Sequence, residues 1–575
     1  MKKALFSIAF LLSNLFVFSQ IPKDAVSFED PNFGKYLKTR KVPIVKGKIS
    51  NISSEEIKNV SISYVTVNAG EQKSSTTTLK DDGTFTLEFT NNLPYQQIWL
   101  TIGKQKFYAG IYAHSELFID LDWQKTSPNG IYMIGDGVKY SGNDGELNTY
   151  LNKYVLFKQS YSRPIQEAIS KISYGKEART MPIETYKVKY DSLFNETKKI
   201  DSLFISQNPS NYAWVLENER MSEYYGGLCT KHWYSKKMES GLWDKVVAHK
   251  TYLVTNSGML FNRYLHTLIS SNATDMRGKG VDFFLKYFCE NEKEKNEFES
   301  LILLVKNTSP KDSVLYKENT MKQGKFMNNL YQKSESRVLY PKVIAYLDSA
   351  FAPSKADFIK LFEDGQRQDI KIRKLKTEIA LASMKTDWCE DLVTNEYQST
   401  LIKMNEVDNI LAKTKVSSTK SEIGEMIGET PFGAKLYTIN TGKGFELLAN
   451  LKNTFKDKAL LLDFWETWCA PCLSDLPHSK KLHEESPELP IEYIYLCTSN
   501  NSSIEKWKNY IVEMKISGTH IFVDEKIENE LMEMFQATGY PSYRFIDKNG
   551  KYKPGAISWM QQMDKAKLVA LIDGK

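Results

Sequence analysis

Cysteine and histidine are scarce in this sequence, six and seven among 575 residues, and that scarcity removes most metal chemistry. A structural zinc site draws on four ligands, usually as two closely spaced pairs, and only one Cys-x-x-Cys occurs, Cys469 with Cys472. His478 and His483 lie nearby, but a spacing of five sets them on different faces of a helix. No metal or other cofactor is expected. Charge of one sign is not in excess either: 76 basic residues face 70 acidic ones, a net of +6. A balance this even leaves no footprint for nucleic acid or an anionic membrane surface. Beyond the first twenty residues no apolar run approaches the roughly 20 residues of a spanning helix, so an integral membrane protein is not expected. The glycine-rich stretch GDGVKYSGNDG at 135–145 lacks the Lys-Ser/Thr of a phosphate loop and reads as a turn.

What is present divides by texture. A chain of 575 residues exceeds the roughly 250–300 that one core supports, so several domains are expected. Residues 1–20 pair Lys2 and Lys3 with an apolar run and a small-residue exit, the pattern of a cleaved secretory signal peptide leading to an oxidising compartment. Residues 21–125 alternate apolar and polar side chains in short runs broken by turn residues, which predicts a β-sandwich. In it Asp82-Gly83 is a hairpin signal. From 126 to 411 apolar residues recur three and four apart, predicting a mainly helical domain. A polar, Ser/Thr/Gly-rich stretch at 412–428 reads as a linker. Across 429–575 strand-like and helix-like runs alternate, which predicts an α/β layer with parallel pairing first and a hairpin at its end. The fold class expected is therefore multidomain α+β: β-sandwich, helical region, then α/β domain.

The pair Cys469–Cys472 follows the apolar strand ALLLDFW, which sets Cys469 at the start of the next helix. Leu473 stands where covalent haem attachment needs histidine. A structural disulfide closing so small a ring would add little loop entropy. At a helix N-terminus, unpaired N–H groups and the helix dipole stabilise a thiolate. Cys469 would then attack a disulfide, and Cys472 would resolve the mixed disulfide.

The stretch DFWETWCAPC, the proline of SDLP and the distant GYPSY together resemble the thioredoxin superfamily, and more narrowly its TlpA-like secreted thiol-disulfide reductases, over roughly 427–575. The resemblance implies roles for particular residues. Asp463 matches a buried carboxylate that assists proton transfer, and Trp468 the tryptophan beside the nucleophile. Pro477 matches a helix proline, and Asp475 an acidic residue near the pair. Pro541 matches a cis-proline facing the disulfide, with Tyr540's backbone bonding an extended substrate segment. Glu466 departs from the pattern. Near the thiol, its carboxylate would raise the thiol pKa and favour a reductant; pointing outward, it would be a solvated glutamate.

The function expected is reduction of protein disulfides in the periplasm of a Gram-negative cell, with disulfide-containing proteins as substrates and a membrane thiol reductase as electron donor. The alternatives are a disulfide oxidase or isomerase, and a non-catalytic binding or assembly protein. Cys497 ends a strand and reads as a buried strand cysteine. Cys229, Cys289 and Cys389 lie in the helical region, and their pairing is left open. No nucleophile-and-base constellation occurs between Val42 and Lys413, a part read as positioning partners or mediating assembly.

Overall fold

The computed structural model describes residues 21–574 apart from 24, 53–58, 68–71, 104, 126–134, 175–179, 234–237, 277, 364–367, 417, 440–441 and 500–501. The expected signal peptide lies outside the described residues. The chain divides into two compact units. One comprises Met1–Asp275, Val343–Glu363 and Met384–Glu390; the other comprises Met276–Lys342, Asp364–Ser383 and Asp391–Lys575. The helices that run from Gly145 to Lys413 therefore contribute to both.

In the first unit two four-stranded sheets turn their apolar faces to one core, which joins Val45, Leu87 and Ile119 of one sheet to Ile62, Tyr64 and Leu100 of the other. Strands Ile44–Ser50 and Glu116–Asp122 alternate buried and less buried residues, as a sheet covered on one face requires. Gly47 is needed where it stands: a Cβ there would meet the Phe85 ring at 2.4 Å and the Ile119 carbonyl at 2.7 Å. The expected hairpin across Asp82-Gly83 is corrected. Gln72–Thr78 and Thr84–Glu88 lie in different sheets, and the turn carries the chain from one to the other. Gly83 takes a φ of 79°, and its carbonyl accepts from the Ile49 N–H, so the turn is tied to strand Ile44–Ser50 instead of closing a ladder. Part of the glycine-rich stretch is also strand, Val138–Ser141, paired antiparallel with Glu116–Asp122.

The second unit contains an eight-stranded sheet, whose elements are numbered here in chain order. Its strands are β1 Thr419–Lys420, β2 Glu425–Glu429, β3 Ala434–Ile439, β4 Ala459–Phe464, β5 Ile491–Thr498, β6 Gly518–Val523, β7 Ser542–Ile546 and β8 Tyr552–Lys553. The helices associated with it are α1 Gly444–Thr454, α2 Ala470–Glu485, α3 Ile504–Met514, α4 Glu525–Met534 and α5 Lys565–Ile572. Strand order is β8-β7-β4-β5-β6-β3-β2-β1. β4, β5 and β6 run parallel, and β7 and β8 pair antiparallel at one side.

Every residue of β4 is buried, which is why its sequence is a continuous apolar run with Asp463 as the exception: a strand covered on both faces has no solvent side to alternate with. Within the stretch expected as a linker lie β1 and the start of β2, which pair with each other, and β2 pairs with β3. Backbone hydrogen bonds build these strands, so their polar side chains carry no alternation to read.

Candidate active site

Cys469 is the N-cap of α2, and its sulfur accepts the Cys472 N–H at 3.2 Å. The two are joined as a disulfide with Cα atoms 5.3 Å apart. Pro471 occupies the first turn of α2, where its missing N–H would have found no intrahelical partner anyway. Cys469 is 4% exposed and Cys472 1%, whereas Trp468 beside them is 49% exposed. Pro477 lies inside α2. The Tyr540–Pro541 peptide bond is cis, and the Tyr540 ring stands edge-on to Trp468 at 5.8 Å.

Two buried acidic groups come from β4 and α2. Asp463 has no hydrogen-bond partner for either carboxylate oxygen. Burial, reinforced by the like charge of Asp475, lifts its carboxyl well above the ordinary range. Asp475 is buried too, but it is fully engaged: Tyr543 Oη donates to Oδ2 at 2.5 Å, Met560 N to the same oxygen at 2.8 Å, and Gln561 N to Oδ1 at 3.0 Å. Its hydrogen bonds thereby tie α2 to β7 and to the segment after β8. The contrast between the two acids is chemical. Asp475 holds three donors, and Asp463, with none, is stabilised as the neutral acid.

Glu466 is fully buried, which overturns its reading as a solvated glutamate. Oε1 accepts from Thr498 N at 3.1 Å and Thr498 Oγ1 at 2.6 Å, and Oε2 from Ser502 Oγ at 2.9 Å. The Cys497 thiol approaches Oε2 at 3.8 Å. Burial pushes the carboxyl up to about 7 against the lowering effect of these donors. The backbone carbonyl of Glu466 also accepts the Cys469 N–H at 3.0 Å. Cys497 is buried and free, as are Cys229 and Cys389; Cys289 is free and partly exposed.

Sequence reasoning misses Glu528, Thr498 and Ser502. Glu528 is 1% exposed, Tyr540 Oη donates to its Oε2 at 2.8 Å, and burial followed by the charge of Glu466 pushes it up to about 8. A signal was present: Glu528 lies between Ile527 and Leu531, which are buried on α4, so a charged residue sits on the apolar face. Among the described residues no group of three or more His, Cys, Asp or Glu could hold a metal ion, and no helix is long and apolar enough to cross a membrane.

Residues 457–552 match the Thioredoxin-like family model. The thiol-disulfide oxidoreductase ResA of Bacillus thuringiensis is 29% identical over 133 residues, 23% of this chain and 70% of that protein. ResA of Bacillus cereus is 28% identical over 110 residues, 19% of this chain and 58% of that protein. The solved thioredoxin domain of a Bacteroides vulgatus thiol-disulfide oxidoreductase is 21% identical, covering 21% of this chain and 81% of its own, with a TM-score of 0.18. The matched family segment is thus a thioredoxin-like domain, and the relatives named here are thiol-disulfide oxidoreductases.

Proposed function

We propose that this thioredoxin-like domain works as a thiol-disulfide oxidoreductase that reduces protein disulfides outside the cytoplasm, in the periplasm of a Gram-negative cell. The observation that carries the proposal is Cys469 at the N-cap of α2, disulfide-bonded to Cys472 and beside a solvent-exposed indole. In the reduced pair the Cys469 thiolate attacks one sulfur of a substrate disulfide. A mixed disulfide forms and the other substrate sulfur leaves as a thiolate. Cys472 then attacks Cys469, re-forming the internal disulfide and releasing the second substrate thiol. Asp463, buried with no partner, takes the Cys472 proton after its own proton has passed to solvent. Trp468 and the Tyr540–Pro541 loop flank the incoming segment, and Asp475 holds α2 against β7. Each cycle moves two electrons to the substrate, and a membrane thiol reductase is the donor proposed. The two sheets of the first unit are read as a β-sandwich that, with its helices, positions partners.

Cys472→Ser in the full chain tests this reading. It should accumulate mixed disulfides through Cys469, identifiable by mass spectrometry, while Cys469→Ser captures none. Equal capture by the two variants, or insulin reduction that survives loss of both cysteines, would sink the proposal and leave a binding or assembly role.

A further inference from the structure

The proposed exchange reaction uses Asp463 as its buried acid and leaves a second carboxyl pair, Glu466 and Glu528, without a role. We propose that these two are positioning residues that share one proton, carried by Glu528, and that this proton keeps the Tyr540–Pro541 loop seated against the turn bearing Cys469. This inference rests on the thiol-disulfide exchange reading of Cys469 and Cys472.

Donor counting places the proton. Glu466 receives Thr498 N–H, Thr498 O–H and Ser502 O–H, with the Cys497 thiol at 3.8 Å. That set suits a charged carboxylate, since hydrogen bonds to the ionised form stabilise it. Glu528 receives one donor, the Tyr540 hydroxyl on Oε2, while its Oε1 is buried without a partner. The Thr498 hydroxyl also bears on the Glu528 carboxyl. Its single proton goes to Glu466 at 2.6 Å, so its lowering effect on Glu528 is outweighed by burial and by the charge of Glu466. Burial, an oxygen with no donor and a second acid nearby favour neutral Glu528. The upward push on both carboxyls, to about 7 and about 8, agrees with one proton held across neutral pH.

A circuit of contacts joins this pair to the nucleophile. The Glu466 carbonyl holds the Cys469 N–H, and Thr467 meets Ser502 through both its N–H and its hydroxyl. Glu528 holds Tyr540, and Tyr540 packs edge-on against Trp468, the neighbour of Cys469. The groups that bear on Glu528 are Glu466 from the active-site turn, Cys497 from β5, Tyr540 from the loop before β7 and Glu525 one turn earlier on α4. Glu525 is itself paired with Lys325 at 3.3 Å. Helix α1 contributes Leu447 and Leu451 to the core that holds Ile527 and Leu531 of α4. When Glu528 gives its proton to solvent base, a second buried negative charge arises beside Glu466. The loop then shifts to hydrate it, and exchange slows.

The test is the second-order rate at which the reduced full-length protein reduces a small aromatic disulfide between pH 6 and 9, for wild type, Glu528→Gln and Tyr540→Phe. Gln keeps an acceptor for Tyr540 and is neutral at every pH, so it mimics protonated Glu528. The wild-type to Glu528→Gln rate ratio should be near one at pH 6 and fall to about one tenth at pH 9, the factor that a coupling of one pKa unit produces. Tyr540→Phe should be slower than wild type already at pH 6. A pH-independent ratio, or a Tyr540→Phe profile that overlies wild type, overturns the inference while leaving Cys469 exchange intact. No exchange in wild type overturns both readings. An infrared difference spectrum, wild type minus Glu528→Gln at pH 6, reads the proton without activity: an un-ionised carboxyl band supports the assignment, and its absence overturns it.

Discussion

At the residue scale the site is a set of buried acids sorted by their donors. Asp463 has none, so its native pKa lies above the unfolded value and the folded state binds the extra proton. Stability from this group is complete below the unfolded pKa and is lost as pH rises through the native one. Asp463→Asn should therefore match wild type near pH 4 and exceed it at pH 9. The difference expected is about 1–3 kcal/mol, the cost of a buried polar group without partners, measured by urea unfolding at the two pH values. The same variant should resolve mixed disulfides slowly, by about 10²-fold if it removes the acid–base step, in stopped-flow release of substrate. Cys469 and Cys472 could be picked out from the sequence by their spacing, and Asp463 and Asp475 only through the resemblance to the thioredoxin superfamily. Glu466 was visible but not interpretable: its donors, Thr498 and Ser502, are more than thirty residues away, and spacing along a chain does not say what faces a side chain.

Elements differ in how openly they announce themselves. β4 and β5 read as apolar runs because both faces are covered, and α3 and α4 read from their buried stripes, Trp507 with Ile511 and Ile527 with Leu531. β1, β2 and the sheet switch at Gly83 did not, since backbone pairing specifies them and backbone groups are the same in every residue. Helix α4 is where an element touches the site. Asp524 caps it by accepting the Lys526 N–H at 2.9 Å, four positions ahead of Glu528. Asp524→Ala should cost about 1 kcal/mol in chemical denaturation of the unit that contains the sheet. In β4, Leu461→Ala removes a fully buried side chain and should cost about 2–5 kcal/mol by the same measurement.

Over the whole molecule, the thioredoxin-like domain does not stand apart from the helices that precede it in its own unit. Ile370 and Val407, from helices Ile370–Leu381 and Asp387–Lys413, form one apolar cluster with Val512 of α3. Asn509 donates to Asp369 at 2.8 Å, and Arg373 pairs with Glu513. A fragment starting at residue 412 uncovers that face of α3. Its denaturation midpoint should be lower than that of the same domain in the full chain by the equivalent of about 1–3 kcal/mol, roughly one buried aliphatic side chain. Circular dichroism of the fragment and the full chain in urea checks this.

By itself the sequence determined the chemistry available and the local elements that carry it. A Cys-x-x-Cys after an apolar strand, a carboxylate six residues earlier and periodic apolar runs are all short-range patterns, and short-range patterns survive in a one-dimensional reading. Tertiary structure alone decided that Glu466 is buried and bonded, that Glu528 and Tyr540 meet, that Asp475 joins α2 to β7, and that Thr419–Lys420 and Glu425–Glu429 are strands of the sheet. Each of these depends on contacts between residues distant in the chain, where burial removes water as the alternative hydrogen-bond partner and the identity of the facing group sets the charge.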